Sequence, residues 1–258
     1  MVVAGLFVMG AVAGVFGALM GIGGGIFLVP LLTFFFHLPI RAAVGTSLVA
    51  VIATSAGVAA FAPKGKGADV SLALRLEMAT TAAAIAGGWL AGAFHPRALH
   101  ILFGLVTLLT AGYMVYKTKS KREATAPESL FRSDYKPKHW PIGMTVSSIA
   151  GLLSGLLGVG GGFIKVPVMY AVMDVPLGVA TATSNFMVGV TAAASVFVYY
   201  SRGDIHPFVA VPTAVGVFGG AMLGAFVLSS IRASWVRTVL IGLLFVIGAH
   251  MLIQGLHG

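Results

Sequence analysis

The chain has 258 residues, 58% of them hydrophobic and only 9% charged, with a mean hydropathy of +1.00 and no cysteine. A soluble domain of this length carries about 25% charged residues, so too few polar groups remain to cover a water-facing surface, and an integral membrane protein follows. The net charge of +9 does not point to nucleic acid, because seven of the sixteen basic residues lie in one hydrophilic stretch (Lys117, Lys119, Lys121, Arg122, Arg132, Lys136 and Lys138), the pattern of a cytoplasmic membrane loop. The missing cysteines exclude disulfides, thiolate metal sites and thiol chemistry.

Ten apolar segments follow in chain order. Residues 1–20 form the first; they lack the basic start of a signal peptide and are expected to belong to the fold. Residues 24–36 form a short second segment. Residues 43–61, 71–94 and 98–116 complete a first half. The polar stretch 117–141 holds ten of the twenty-three charged residues and reads as a cytoplasmic linker. The second half repeats the plan at 142–159, 163–173, 179–200, 208–228 and 235–255.

The repeat is carried by a glycine motif. Gly21-Ile22-Gly23-Gly24-Gly25-Ile26-Phe27-Leu28-Val29-Pro30 returns as Gly158-Val159-Gly160-Gly161-Gly162-Phe163-Ile164-Lys165-Val166-Pro167. Pro39 then answers Pro176, Ala43 answers Ala180, and Thr46-Ser47 answers Thr183-Ser184. Each motif interrupts two apolar runs. Such a break survives in a bilayer only where it is buried in protein or lines a cavity, and paired breaks in two halves point to a transporter's binding site.

Parity sets the topology. The first two segments of each half return to their starting side, as two crossings or a re-entrant hairpin, and three more crossings follow. An odd count inverts the second half. With the linker inside, Lys64, Lys66, the seven linker residues, Arg232 and Arg237 face the cytoplasm, while Arg41, Arg97 and Arg202 lie outside; eleven against three obeys the positive-inside rule. Both termini are then outside. The expected fold is an all-α polytopic membrane protein of two inverted repeats, 1–116 and 142–258, broken at the glycine motifs.

A duplicated G-x-G-G-G-x-x-x-V-P motif in a basic-linked apolar chain of this size resembles the sulfite exporter TauE/SafE family, over nearly the whole length. The resemblance implies movement of small sulfur-containing anions across the bacterial inner membrane: sulfite, sulfoacetate and related sulfonates or carboxylates. It does not fix the direction.

The residues supply matching chemistry. A glycine turn lets N–H groups converge on an anion, and the helix that follows adds the positive end of its dipole. Gly23, Gly24, Gly25, Gly160, Gly161 and Gly162 are therefore the expected substrate cradle, whereas Gly14, Gly17, Gly151 and Gly155 read as helix-packing positions. Thr46, Ser47, Thr183, Ser184 and Asn185 offer uncharged donors, or alternatively bond back to their own helix. Asn185 stands opposite Leu48 in the repeat.

Lys165, opposite Leu28, is a charge in an apolar run and a functional candidate by default; it either draws the anion in or snorkels to the interface. Arg41 and Asp174 flank the apolar runs and are gating or proton-coupling candidates, with Arg41 also reading as an interfacial anchor. Glu77 is a candidate proton relay whose place near a segment start suggests the interface; Arg75, two residues away, points to another face. His37, His100 and His250 read as interfacial. No metal site, cofactor motif or catalytic constellation stands out. The expected partners are a small anion, the bilayer and a coupling proton. A passive anion channel and a membrane enzyme or receptor subunit are the rival readings.

Overall fold

The structure is a computed structural model that describes residues 2–61, 68–120, 135–227 and 233–257. These form ten α-helices and, among the described residues, no strand: α1 (Val2–Met20), α2 (Gly25–Phe35), α3 (Ile40–Phe61), α4 (Val70–Ala93), α5 (Pro96–Ser120), α6 (Trp140–Leu157), α7 (Gly162–Ala171), α8 (Leu177–Ser201), α9 (Pro207–Val227) and α10 (Ala233–His257). Every expected segment is a helix. Helix α5 runs past 116 into the expected linker, where Lys117 to Ser120 offer no breaker. Lys64, Lys66, Lys121, Arg122, Arg132 and Arg232 lie outside the described residues, as do the side chains of Lys117, Lys119 and Arg237.

Among the described residues, six helices (α1, α3, α4, α6, α8 and α9) are long and apolar enough to cross a membrane. Helices α2 and α7 are not. Their 11 and 10 residues rise about 16 Å at most, roughly half the hydrocarbon thickness of ~30 Å. Both are entered through glycine. Gly21, Gly23 and Gly24 take φ of 70°, 83° and 77°, and Gly158, Gly160 and Gly161 take 69°, 78° and 74°. The same left-handed backbone thus recurs 137 residues apart, and only glycine adopts it freely. His37 and Asp174, also 137 apart, share left-handed φ of 52° and 58°.

Each short helix folds back along its predecessor. The Phe36 ring lies against Gly5 at the start of α1. Lys138, just before α6, donates its backbone N–H to Met173 O (3.1 Å) and its ammonium to Asp174 (2.8 Å). Each pair is therefore a hairpin with its glycine turn at depth.

Small residues bring the long helices together. Helix α1 runs parallel to α9, with Gly10 and Gly14 on the Thr213 and Val217 carbonyls and Gly216 and Gly220 on those of Phe7 and Ala11. Helix α4 runs parallel to α6 in the same way: Gly151 and Gly155 meet the Thr80 and Ala84 carbonyls, and Gly87 meets Leu152 O. Gly17 sits against the Gly23–Gly24 backbone. Gly14, Gly17, Gly151 and Gly155 are thus packing positions. Helices α3 and α8 cross between the two pairs, and α5 packs antiparallel to α10.

These contacts assign the helix ends to two sides. The starts of α4, α6 and α8 lie together: Asp69 N–H donates to Thr183 Oγ1 (2.9 Å), and Tyr135 O–H donates to the Asp69 carboxylate. The start of α3 meets the end of α8, where Gly45 faces Asp204 and Ile205. Arg41 reaches the end of α4 through Gly92 O (3.0 Å) and Phe94 O (2.7 Å).

Candidate functional site

The two glycine turns come from opposite halves and pack back to back. Gly25 lies against Gly158 O and Val159, and Gly162 lies against Gly21 O and Ile22. Gly23 and Gly160 both face Val51 and Val188, from α3 and α8. Gly21 to Gly25 and Gly158 to Gly161 are all buried, with Gly162 beside them. The six expected cradle glycines therefore converge.

Two serines tie the turns across the halves. Ser47 Oγ donates to Gly158 O (2.8 Å), and its repeat mate Ser184 donates to Gly21 O (3.1 Å). Gly21 O and Gly158 O thus each gain a buried partner from the other half, as burial requires. Thr54 makes a related bond within its own half, to Gly23 O (3.0 Å). Ser47, Ser184 and the glycines form one junction.

Helices α2 and α7 begin at this junction with Gly24 and Gly161 as N-caps and no side-chain cap. A helix start without a cap keeps N–H groups and the positive dipole end free for an anion. Thr46 Oγ1, Ser154 Oγ and Asn185 Oδ1 are buried with no hydrogen-bond partner among the described residues. Thr46 and Asn185 flank Ser47 and Ser184 in sequence. Thr183 is engaged elsewhere, accepting the Asp69 N–H at the start of α4.

Lys165 does not snorkel. It is 1% exposed, and its Nζ lies 3.3 Å from Glu77 Oε2 and 2.9 Å from Thr191 Oγ1. Glu77 is not interfacial either, at 4% exposure. It accepts from the hydroxyls of Thr191 and Thr81, the latter at 3.1 Å. The expected interfacial place fails because α4 enters beneath the linker end: seven residues at ~1.5 Å each carry Glu77 about 10 Å inward from Val70. Arg75 does face elsewhere, over the Trp140 ring at 5.3 Å.

The remaining candidates are peripheral. Arg41 caps the end of α4 as described. Asp174 is exposed beside Lys138, which holds its carboxyl below the usual carboxylate range by hydrogen bond and charge. His250 packs on Phe34, with ring centroids 4.0 Å apart. Among the described residues, no group of three His, Cys, Asp or Glu could hold a metal. A groove of about 440 Å³ between α5, α6 and α7 is lined almost wholly by apolar residues, among them Leu109, Leu153 and Pro167, and offers an anion nothing.

Thr191 was missed from sequence. It stands 137 residues after Thr54, so the repeat kept a hydroxyl there, and that is the signal that could have found it. Tyr199 is buried and donates to Gly155 O (2.9 Å).

The sulfite exporter TauE/SafE family model matches residues 6–251. The chain belongs to that family. Among individual relatives, the probable membrane transporter protein YunE of Bacillus subtilis is 26% identical, the match spanning 97% of each chain. The probable membrane transporter protein MJ0441 of Methanocaldococcus jannaschii is 28% identical over 96% of this chain and 94% of its own. A second Bacillus subtilis protein, YdhB, also a probable membrane transporter, is 25% identical over 85% and 86%. No solved structure matches.

Proposed function

We propose that this TauE/SafE member is a secondary transporter that moves a small sulfur-containing or organic anion across the inner membrane by alternating access. Sulfite, sulfoacetate-like sulfonates and small carboxylates are the substrate class. The observation that carries the reading is the buried junction where two uncapped, glycine-entered helix starts from opposite halves meet. Both starts lack a side-chain cap and so leave N–H groups for an anion, and Thr46 and Asn185, next to Ser47 and Ser184 in sequence, keep buried polar atoms without partners among the described residues.

The halves are proposed to be inverted repeats. In support, α1 runs beside α9 as α6 runs beside α4, and Ser47 exchanges with Ser184 across the junction. The linker side is placed in the cytoplasm on the charge bias, with both termini outside. Val51 and Val188 close over both turns, which favours an occluded carrier over an open channel. The relatives' names support transport rather than catalysis.

The test is counterflow in proteoliposomes of the full chain. Labelled sulfoacetate is expected to enter against a preloaded pool of sulfoacetate or sulfite, with saturation. Unsaturable conductance would establish a channel instead, and an absence of flux for sulfite, sulfoacetate and acetate alike would refute the proposal.

A further inference from the structure

Glu77 and Lys165 come from opposite halves, and both are almost fully buried. Their contact is close, and Thr191 bridges them: it accepts from Lys165 Nζ (2.9 Å) and donates to Glu77 Oε1. The repeat supplies no second copy, since Lys165 answers Leu28 and Thr54 bonds Gly23 O instead. The backbone of Lys165 is rooted next to the substrate junction. The Lys165 N–H donates to Gly161 O (3.2 Å), one turn into α7, and helical side chains lean toward their helix's N-terminus.

We propose that this cluster couples each bound anion to one proton: the anion takes Lys165 from Glu77, and the displaced Glu77 carboxylate accepts a proton from the aqueous side. On release the proton leaves, and the ion pair re-forms. This rests on the transporter reading above and names its coupling.

Charge balance is the argument. The empty cluster holds one positive and one negative charge. An anion entering alone would leave a net buried negative charge, which a low-dielectric interior opposes strongly. Protonation of Glu77 restores neutrality in the loaded form.

The hydroxyls suit both states. With Glu77 ionised, Thr191 and Thr81 donate to it. With Glu77 protonated, its O–H donates to Thr191, whose own hydroxyl already lies 2.9 Å from Met187 O.

The other charges near these helices are engaged elsewhere. Asp69 accepts from Tyr135, Arg75 lies over Trp140, and Asp174 pairs with Lys138. His139 sits outside α6 at its N-cap. Arg202 bonds Asp204 and Gly88 O, and Arg41 bonds Gly92 and Phe94 carbonyls. Lys165 is the one charged group in hydrogen-bond contact with Glu77 among the described residues.

The experiment is calorimetric binding of methanesulfonate to the purified full chain in buffers of differing ionisation enthalpy. Methanesulfonate has no titrating group in the working range, so any proton belongs to the protein. Uptake close to one proton per anion is expected, with affinity rising about tenfold per pH unit of acidification where Glu77 is ionised in the empty protein. Glu77→Asp should keep the uptake. The Glu77→Gln, Lys165→Met pair, which leaves no lone buried charge, is expected to take up no proton with any anion it binds. Binding without proton uptake in the wild type, or uptake that persists in the double variant, overturns the coupling but leaves the transporter reading. Failure of every sulfonate, sulfite and carboxylate to bind or cross overturns that reading as well.

Discussion

Ser47 and Ser184 show why a glycine break is affordable inside a membrane protein. Each donates to a carbonyl in the glycine turn of the other half. Ser47→Ala should strand Gly158 O and lower stability by about 1–3 kcal/mol, read as a depressed Tm in detergent. Ser148→Ala, at an exposed hydroxyl bonded within its own helix, should change Tm little. At Gly161, by contrast, a Cβ would fall 2.8 Å from Ala150 O on a backbone of φ 74°. Any side chain there disrupts the α6–α7 hairpin whether or not the turn binds anion, so a loss of binding in Gly161→Leu does not separate the two roles. The glycines were legible in sequence because three positive-φ positions per motif demand them. The Thr191–Glu77 contact was not, because it joins positions 114 apart in sequence that only α4–α8 packing brings together.

At the scale of elements, the hairpins were legible and their partners were not. Proline and glycine punctuate the ends of α2 and α7 in the sequence itself. The choice of α9 for α1 and of α4 for α6 depends on glycines meeting carbonyls across helices, which periodicity does not encode. The Glu77–Lys165 pair links α4 to α7 across that same boundary. Either single neutral variant should cost about 3–5 kcal/mol, because it leaves an uncompensated buried charge. The double variant should cost less than the sum, and a double-mutant cycle on thermal unfolding in micelles checks this. At the linker end, the Lys138–Asp174 pair is exposed. Asp174 is held low and Lys138 high by each other. Their contribution is present above Asp174's unfolded value and is lost as pH falls through its depressed folded value. It is present below Lys138's unfolded value and is lost as pH rises through the raised one. Lys138→Ala should therefore leave Tm near neutral pH almost unchanged, as for other exposed pairs. It should also remove what acid dependence Asp174 contributes, which a pH series of melting curves will show.

For the whole molecule, the starts of α4, α6 and α8 share one side, and the starts of α1, α3 and α9 share the other. Reporter fusions should accordingly place the N-terminus and the linker on opposite faces of the inner membrane, with the linker in the cytoplasm. A shared face would contradict the arrangement. The central claim is that a small anion binds where the two glycine turns meet. The cysteine-free chain allows it to be tested with Asn185→Cys as the sole thiol, beside Ser184 at the junction. The measurement is the rate of maleimide labelling in proteoliposomes, with and without sulfoacetate. The account predicts slow labelling that sulfoacetate suppresses further in a saturable way, at the concentration that half-saturates counterflow. Labelling indifferent to sulfoacetate, while counterflow persists in the same variant, would place the anion elsewhere and contradict it.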